Sequence, residues 1–392
     1  MQTSFEQLGL DKTLIAGLAK AAIKVPTPVQ AAVIPAVLSG RDAIGDSATG
    51  TGKTLAYLLP LFQKTDVARP EVQAIILAPT HELVLQIFRE AELLAKNSGV
   101  PVRAAAIVGN ANVTRQIEKL REKPQILVGS AGRLLELIGK RKINAQTVNA
   151  IVLDEADRLL DEKNLSTVAA VIKTTRRDRQ LLLFSATISA KTLTAAEQWL
   201  KDPFHAELAQ TSPVPAGISH LYFLVETRDK ILILRKLLAS IQAERSLVFV
   251  NTAPAIAETV AKLNFHGIAA AGLHGSADKR ERQQAMADYR AGRVQVLVAS
   301  DLAARGLDIP GLDNVINLDL PENPEAYLHR AGRTGRCDSP GRVFSIVDLG
   351  ELRQIQQLQK KLRIEIAARQ MSFGKIVAAP PPPAKGNNQL KK

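Results

Sequence analysis

Cysteine is nearly absent from this sequence: of 392 residues, only Cys337 carries a thiol. A single cysteine excludes an intrachain disulfide and a cysteine-based zinc site, and it is typical of proteins in a reducing cytosol. Long apolar runs are also missing, so no segment is predicted to span a bilayer. The start MQTSFEQLGLDK lacks a basic stretch followed by an apolar run, which argues against a secretory signal. The chain is therefore predicted to be cytoplasmic, with no membrane partner.

The composition is that of a folded protein with a basic surface. Hydrophobic residues make up 46% of the chain and the mean hydropathy is +0.01, values that exclude wholesale disorder. Lys and Arg number 51 against 38 Asp and Glu, which gives a net charge of +13. Such a surplus suggests an acidic partner, most often nucleic acid, although a merely basic surface would have the same composition.

Short apolar runs alternate with stretches of helical periodicity, a pattern typical of parallel sheets covered by helices. In the first half the runs are VQAIILA (72–78), VRAAAIV (102–108), QILVG (125–129), VNAIVL (148–153) and QLLLF (180–184). In the second half they are SLVFV (246–250), GIAAAG (267–272), VQVLVA (294–299), NVINL (314–318) and GRVFSIV (341–347). The sequence therefore predicts an α/β protein that binds its ligands beyond the carboxyl ends of the strands.

A stretch rich in proline and glycine, AQTSPVPAG, separates the two series of runs. It predicts a short linker over residues 209–217, between an α/β domain of residues 1–208 and a second one of residues 218–365. Residues 366–392 include a proline run followed by small, polar and basic residues. They are predicted to form a short disordered tail.

The segment GDSATGTGKT, residues 45–54, lies between the short apolar run DAI and a helical pattern. Strand, glycine-rich loop, Lys-Thr and helix form the context of a phosphate-binding loop. Gly50 and Gly52 let backbone N–H groups turn toward phosphates, Lys53 reaches the β and γ oxygens, and the Thr54 hydroxyl ligates Mg²⁺. Ser47 stands where the strict pattern has glycine. A glycine-rich turn before a helix is the alternative reading.

Asp154 and Glu155 follow directly on the apolar run VNAIVL. They are therefore expected at the carboxyl end of a strand, where the phosphate loop also opens. Asp154 is predicted to hold Mg²⁺, largely through water, which leaves Glu155 to orient and deprotonate an attacking water. An acidic first turn of the next helix is the alternative.

HRAGRTGR, residues 329–336, contains three arginines at intervals of three residues. This density of arginine predicts a surface for anions. The stretch alone does not distinguish the phosphates of a nucleic-acid backbone from those of a nucleotide.

The order of these motifs, with Asp-Glu-Ala-Asp at 154–157 and Ser-Ala-Thr at 185–187, resembles that of the DEAD-box RNA helicases of superfamily 2. The resemblance extends from Phe5 to about residue 365. It implies two RecA-like parallel-sheet domains in tandem joined by a short linker, ATP and Mg²⁺ as cofactors, and RNA as partner.

For the nucleotide, the resemblance makes AAIKVPTPVQ (21–30) the Q motif, with Gln30 reading the adenine edge and Phe5 stacking on the base. Ala22 and Ile23 replace the usual Gly-aromatic pair, and Asp308 would contact the ribose. Motif I would supply the contacts of Ser47, Thr49, Gly50, Thr51, Gly52, Lys53 and Thr54.

The resemblance also assigns the catalytic and coupling residues. The catalytic set would be Lys53, Asp154, Glu155, His329, Arg333 and Arg336, with Arg333 and Arg336 at the γ-phosphate. The coupling set would be Asp157, Ser185, Thr187 and Arg330. His329 and Arg330 would link the γ-phosphate site to the acidic motif and to Ser-Ala-Thr.

A third group of residues would contact RNA. In the first domain these are Pro79, Thr80, His81, Gly109, Ser130 and Arg133. In the second domain they are Asn251, Arg282, Ser300 and Asp301. The chain departs from the family at four of these motifs: His81 replaces an arginine, Asn110 a glycine, Ser130-Ala131 a Thr-Pro pair, and Lys279 a glutamine.

The resemblance thus implies an ATP-dependent RNA helicase that binds RNA without regard to sequence and separates short duplexes locally or remodels RNA–protein complexes. A monomer is expected, with ribosomal precursors or messenger RNA as candidate substrates. Two alternatives stay open: an ATP-gated RNA clamp or assembly scaffold with little unwinding, and a DNA-directed helicase of the same superfamily.

Overall fold

The structure is a computed structural model that describes residues 3–46, 51–109, 112–185, 188–207, 217–242, 245–273, 279–304, 309, 312–335 and 340–379. The chain divides into two compact units. Described residues up to Glu207 belong to the first unit and those from Gly217 onward to the second. Apart from Gly217, the predicted linker lies outside the described residues.

The first unit is built around one sheet. Its strands are β1 Ala43–Asp46, β2 Ala74–Leu77, β3 Ala104–Ile107, β4 Ile126–Gly129, β5 Ala150–Asp154, β6 Gln180–Ser185 and β7 Phe204–Glu207. Its α-helices are α1 Lys12–Lys20, α2 Pro28–Leu38, α3 Lys53–Lys64, α4 His81–Ser98, α5 Val113–Leu120, α6 Ala131–Gly139, α7 Ala156–Leu159, α8 Leu165–Thr174 and α9 Ala190–Glu197. The strand order is β3-β4-β2-β5-β6-β1-β7, and every neighbouring pair is parallel.

Both faces of this sheet are covered. Successive side chains of a strand enter different core clusters: Ile76 and Leu182 lie in one, and Ile75 and Leu181 in the other. A strand buried on both faces needs apolar residues at consecutive positions. This is why β2 to β6 are visible in the sequence as continuous apolar runs.

The second unit repeats this architecture with one addition. Its strands are β8 Ile218–Leu224, β9 Ser246–Phe249, β10 Ala270–Leu273, β11 Val296–Ala299, β12 Asn314–Asn317, β13 Gly341–Val347, β14 Ala367–Ser372 and β15 Lys375–Ala378. Its α-helices are α10 Lys230–Ile241, α11 Ala253–Phe265, α12 Lys279–Arg290, α13 Asp301–Ala304, α14 Pro324–Ala331 and α15 Leu352–Leu362. The order is β10-β11-β9-β12-β13-β8-β14-β15, parallel except for the last pair.

The tandem α/β architecture is therefore confirmed, but the prediction of a disordered tail from residue 366 is wrong for its first part. Residues 367–378 form a hairpin whose first strand pairs with β8. In this hairpin, Met371 and Ile376 pack against the core. Alanine and polar residues at most of the other positions leave no continuous apolar run that would predict the two strands. Strands β7 and β8, with His205 and His220, were missed for the same reason.

No helix within the described ranges is both long and apolar enough to cross a membrane.

Candidate nucleotide and RNA site

In the first unit, the candidate residues lie where parallel strands end. Those assigned to RNA follow β2, β3 and β4, whereas those assigned to the nucleotide follow β1, β5 and β6. The strand order places β3, β4 and β2 in one half of the sheet and β5, β6 and β1 in the other. The carboxyl edge of one sheet thus presents the two groups of residues side by side.

The phosphate loop connects β1 to α3. Gly52 precedes the helix with φ of 88°, a left-handed conformation that favours glycine. A Cβ at this position would come within 2.5 Å of Gln30 Nε2, so a side chain there would displace Gln30. Thr51 is described, whereas the predicted contacts Ser47, Thr49 and Gly50 lie outside the described residues.

Gln30 connects the Q motif to this loop. Its side chain is 1% exposed. Nε2 donates a hydrogen bond to the Gly52 carbonyl at 3.0 Å, and Oε1 accepts one from the Thr27 backbone N–H at 3.0 Å. Thr27 and Gln30 form the capping box of α2, in which the Thr27 side chain faces the Gln30 backbone N–H. One amide N–H of Gln30 remains for a ligand such as an adenine edge.

Phe5 lies in the core. Its ring is 3% exposed and packs in the same hydrophobic cluster as Leu8 and Leu10. The Phe5 carbonyl accepts hydrogen bonds from the backbone N–H groups of both leucines. Almost none of this ring is exposed in the structure, and its stacking on a base stays a prediction.

Lys53, the first residue of α3, is surrounded by carboxylates. Burial lowers the pKa of its ammonium, and the negative charges of Asp154, Glu155, Asp157 and Asp46 oppose this effect. A buried ammonium ion among acidic groups is stabilised by their charge.

Asp154 ends β5 and is 5% exposed. Its Oδ2 accepts a hydrogen bond from the Tyr57 hydroxyl at 2.8 Å, and its Oδ1 accepts one from the Glu155 backbone N–H at 3.0 Å. Burial raises the pKa of this carboxyl to about 6, against the opposing charge of Lys53.

Tyr57 was not anticipated from the sequence. Its hydroxyl also shares a hydrogen bond with Thr54, and burial raises its pKa well above the ordinary value. Because it lies four residues after Lys53 on α3, it faces the same side of the helix one turn later. That spacing is the signal that could have identified it. Tyr57 thereby brings the two predicted Mg²⁺ ligands, Thr54 and Asp154, to one place.

Glu155 has an unusual backbone and a carboxylate oxygen that accepts no hydrogen bond within the described residues. Its φ and ψ are both 53°, the left-handed conformation that few residues other than glycine adopt. Its Oε2 forms only a long ion pair with Arg158 Nη1, at 3.6 Å. A buried carboxylate oxygen that accepts no hydrogen bond is suited to accept a proton from a water molecule.

Asp157 joins the acidic motif to β6. Its Oδ1 accepts a hydrogen bond from the Ser185 hydroxyl at 2.7 Å, and Ser185 is fully buried. Burial raises the pKa of Asp157, whereas this hydrogen bond lowers it. Thr187, the other predicted member of this link, lies outside the described residues.

The residues assigned to RNA begin helices or turns at the same edge. Thr80 follows β2 after Pro79, and its hydroxyl accepts the Leu83 N–H at 3.2 Å, so that α4 begins at His81. Ser130 precedes α6, and its backbone N–H donates to the Ile107 carbonyl at 3.1 Å. Arg133 forms an ion pair with Glu136 at 2.9 Å.

Gln116 is a further residue that the sequence did not identify. It is 5% exposed on α5 and bonds to both backbone groups of Val108: Nε2 donates to the carbonyl at 2.9 Å, and Oε1 accepts from the N–H at 3.2 Å. It therefore holds the backbone immediately before Gly109. Gln116 gives no sequence signal, since a glutamine on an amphipathic helix is usually a solvated residue.

In the second unit, Arg330 is the centre of the predicted motifs. It is 1% exposed, and its guanidinium lies 4.6 Å from the centre of the Phe249 ring. It makes a bidentate ion pair with Asp301, with both N···O distances 2.7 Å. Its remaining N–H groups donate to Asn251 Oδ1, Asn317 Oδ1 and the Asp319 carbonyl at 3.1, 3.0 and 2.6 Å.

Arginine has five N–H donors, and all five of Arg330 are engaged inside the second unit. The link from Arg330 to the acidic motif and to Ser-Ala-Thr therefore stays a prediction. The same bonds occupy both carboxylate oxygens of Asp301 and the amide oxygen of Asn251. These two residues, assigned to RNA, are thereby held in place next to α14, which carries His329 and is followed by Arg333.

The other predicted residues of this unit follow β10, β11 and β12. Arg282 on α12 donates to the Ala303 carbonyl at 2.7 Å, and the Ser300 hydroxyl accepts the Ala303 N–H at 3.4 Å. Arg333 follows α14 and is 8% exposed, and His329 is half-buried. Arg336 and Asp308 lie outside the described residues, as does Asn110 of the first unit.

The residues at the first unit's edge fit a nucleotide with Mg²⁺. Carboxylate and hydroxyl oxygens are the ligands that Mg²⁺ prefers, and Asp154 and Thr54 provide one of each. Within the described ranges, no three His, Cys, Asp or Glu side chains form a metal cage, so Mg²⁺ would retain most of its water. The Glu155 Oε2, which accepts no hydrogen bond within the described residues, fits a polar ligand at this edge.

The family comparisons agree with this geometry. Residues 27–196 match the family described as DEAD/DEAH box helicase, and residues 229–338 match the helicase conserved C-terminal domain. The chain is 39% identical over 362 residues to the DEAD-box ATP-dependent RNA helicase CshC of Bacillus cereus, which covers 92% of each chain. It is 39% identical over 351 residues to the probable ATP-dependent RNA helicase YfmL of Bacillus subtilis, covering 90% of this chain and 92% of the relative.

Solved structures have the same fold. The chain resembles Saccharomyces cerevisiae Dbp5 bound to RNA and ADP BeF3, with a TM-score of 0.81, 30% identity, and 93% and 95% of the two chains covered. It also resembles Mss116p bound to ssRNA and AMP-PNP, with a TM-score of 0.84, 25% identity, and 95% and 80% covered. Together with the motifs described above, these similarities show that the chain belongs to the DEAD-box ATP-dependent RNA helicases.

Proposed function

We propose that this enzyme binds and hydrolyses ATP with Mg²⁺, and that it couples this cycle to sequence-independent RNA binding and local separation of short duplexes or remodelling of RNA–protein complexes. The observation that carries the proposal is the chain of contacts across the first unit. Gln30 bonds to Gly52, Lys53 lies among the acidic residues, and Asp157 bonds to Ser185. Four motifs distant in sequence thus share one connected site.

The residues of the first unit would have distinct tasks. Lys53 supplies a buried positive charge for the β and γ phosphates, and Thr54 and Asp154 would hold Mg²⁺, which neutralises phosphate charge when bound. Glu155 would accept a proton from the attacking water through its Oε2. Phosphoryl transfer requires little covalent chemistry from the protein, so the rate would come from this positioning and charge.

The second unit would supply Arg333 and Arg336 to the γ-phosphate. An arginine can stabilise the charge that spreads over the phosphate oxygens in the transition state. Arg330 would act as a positioning residue, since it bonds to Asn251 and Asp301 and lies one helical turn before Arg333. RNA contacts and the arginines for ATP would therefore be parts of one rigid arrangement, which favours coupled binding of the two ligands.

RNA would be held mainly through phosphate and ribose, because such contacts do not read the base sequence. Two observations support this. The starts of α4, α5 and α6 follow β2, β3 and β4 in the first unit, and Ser300 and Asn251 follow β11 and β9 in the second. The RNA-bound structures of Dbp5 and Mss116p, which the chain resembles, are consistent with RNA as the ligand.

The test measures ATP turnover with and without single-stranded RNA, then strand separation of a short duplex with ATP. We expect RNA to stimulate ATP turnover, and we expect strand separation to depend on ATP.

Arg333→Ala should reduce ATP turnover about a hundredfold while leaving RNA binding in the absence of nucleotide nearly unchanged. Arg228→Ala, at an exposed arginine paired with Glu226, is the control and should have no effect. RNA-independent turnover without strand separation would refute the proposal, and a larger loss of RNA binding than of turnover in Arg333→Ala would make the arginines an RNA surface.

An ATP-gated RNA clamp is the second candidate. The substitutions at His81, Asn110 and Lys279 favour it, as does the ion pair that engages Arg133 with Glu136. A clamp needs ATP binding but no catalytic base. Cells whose only copy carries Glu155→Gln would therefore grow normally if the enzyme is a clamp, and would show the loss-of-function phenotype if hydrolysis is required.

A further inference from the structure

The hairpin of β14 and β15 is firmly attached to the second unit. Ala367 to Arg369 pair in parallel with Leu221 to Phe223 of β8, and Met371 and Ile376 pack against the core cluster that contains Phe223. Because the pairing begins near the end of β8, the last residues of β14 extend past Leu224. The turn of the hairpin therefore projects from the carboxyl edge of the sheet, the edge that also carries Asn251 and Ser300.

The turn itself has an unexpected residue. Ser372 pairs with Lys375, so the loop consists of Phe373 and Gly374, with φ of 46° and 74°. Two positive φ values are the arrangement of a type I′ turn, which strongly favours Asn-Gly. An aromatic residue is strained in this conformation. The Phe373 ring is also fully exposed, at 104% relative accessibility. Neither its backbone nor burial of the ring accounts for phenylalanine here.

The surrounding segment is strongly basic. Residues 352–379, which contain α15 and the hairpin, have six Lys and Arg against one Glu. Extended to residue 392, the count is nine against one, so this last part of the sequence has a net charge of +8 out of +13 for the whole chain. A concentration of positive charge of this kind complements a polyanion.

We propose that this hairpin is a second RNA-binding element, in which Phe373 stacks on an unpaired base and Lys375, directly after the turn, neutralises an adjacent phosphate. An exposed aromatic ring next to a positive charge is the arrangement that binds single strands without sequence preference. Four strand spacings separate β14 from β9, so the ring lies roughly 20 Å along the edge from Asn251. The element would therefore hold RNA that extends beyond the RNA contacts proposed above, on whose RNA-binding function it depends.

Phe373→Asn tests the stacking directly. Asn removes the ring but suits the left-handed turn, so thermal stability should stay the same or rise. The full-length variant, without nucleotide, should bind a fluorescently labelled oligouridylate about tenfold more weakly than wild type. ATP turnover at saturating RNA should be unchanged. The matched control is Phe265→Asn, at a phenylalanine that is 85% exposed at the end of α11, and its RNA affinity should be unchanged.

Phe373→Trp provides a spectroscopic readout. The only natural tryptophan, Trp199, is 8% exposed, so the emission of a tryptophan at position 373 is distinguishable as solvent-exposed fluorescence. Oligouridylate should quench this emission with the same midpoint as binding. Absence of quenching at saturating oligouridylate, or an RNA affinity of Phe373→Asn equal to wild type, would overturn the proposal and leave the ring to a protein contact.

The failure of this proposal is distinguishable from failure of the proposed function. If wild-type turnover does not respond to RNA, the proposed function itself is refuted. If turnover responds to RNA but both Phe373 variants behave like the Phe265 control, only the second RNA-binding element is refuted.

Discussion

The two units differ in how far the hydrogen-bonding groups of their buried charged residues are satisfied. In the first, Lys53 and Asp154 have pKa values shifted by burial, and Glu155 keeps a carboxylate oxygen without a hydrogen-bond partner among the described residues. In the second, Arg330 is equally buried, but all of its donors are matched by acceptors of the same unit.

This difference separates two roles. Buried polar groups that lack partners cost free energy and persist where a ligand completes them. A buried arginine with every donor satisfied stabilises a frame and has nothing to offer a ligand. We therefore regard the first unit's edge as reactive and the Arg330 network of the second unit as the support of its binding residues.

The largest expected effect concerns the reactive residues of the first unit. Glu155→Gln removes the proton acceptor with little change of shape, and we expect ATP turnover to fall about a thousandfold, equivalent to about 4 kcal/mol. The protein should stay folded, since the nearest cation, on Arg158, is 3.6 Å away and makes no hydrogen bond. Steady-state turnover at saturating RNA measures this. The control is Asp161→Asn, which removes a carboxylate six residues after Glu155 that accepts hydrogen bonds from the backbone N–H groups of Lys163 and Asn164. A thousandfold loss of turnover in this variant as well would contradict a specific role for Glu155.

The next largest effect concerns the Arg330 network of the second unit. Arg330→Met leaves Asp301 charged and unpaired beside two asparagines, and we expect the free energy of unfolding of the second unit to drop by about 3 kcal/mol. Denaturant unfolding measures the loss. Arg342→Met serves as the control, because Arg342 is a half-buried arginine on β13 of the same unit. Its Cζ lies 5.9 Å from the centre of the Phe344 ring. Equal losses in the two variants would show that the network has no special importance.

A change of pH should distinguish the units. Burial lowers the pKa of His220 to about 4, with Nδ1 bonded to the Tyr327 hydroxyl at 2.9 Å. The unfolded chain binds a proton near pH 6.5 and the folded chain does not, so stability of the second unit is lost as pH falls below 6.5. Between pH 6.5 and 5 the loss should be about 2 kcal/mol. In the first unit, the raised pKa of Asp154 acts in the opposite direction.

Unfolding of wild type and His220→Phe across this pH range measures the effect of His220. The variant should lack this part of the pH dependence, whereas His205→Phe, at an exposed histidine of β7, should retain it. Identical pH profiles for all three proteins would contradict the assignment.

The smallest effect concerns Gln116. Gln116→Leu removes both bonds to Val108, and we expect the RNA concentration for half-maximal turnover to rise about fivefold, or about 1 kcal/mol, with the maximal rate unchanged. The control is Gln125→Leu, another buried glutamine that bonds to a backbone N–H, that of Arg103, at the opposite end of the sheet. It should lose similar stability but keep its RNA response. An equal shift in both variants would indicate general destabilisation.

Much of the fold could be read from the sequence, for a physical reason. Strands β2 to β6 and β9 to β13 are covered on both faces and therefore need consecutive apolar residues, which is a local pattern. Strands β7, β8, β14 and β15 could not be identified in this way, since partly exposed strands need apolar residues at alternate positions at most. The phosphate loop and the acidic motif were identifiable because glycine, lysine and carboxylates must occur there at fixed spacing.

What the sequence determined by itself is thus the architecture, the family and the identity of the reactive groups. The tertiary structure alone decided which groups meet: Tyr57 with Asp154, 97 residues apart, and Arg330 with Asn251, 79 residues apart. It also decided that Phe5 is buried and that Phe373 is exposed on a rigid turn. Such contacts depend on how distant strands and helices pack. Tyrosine, arginine and phenylalanine are each compatible with many environments, so no local pattern specifies their partners.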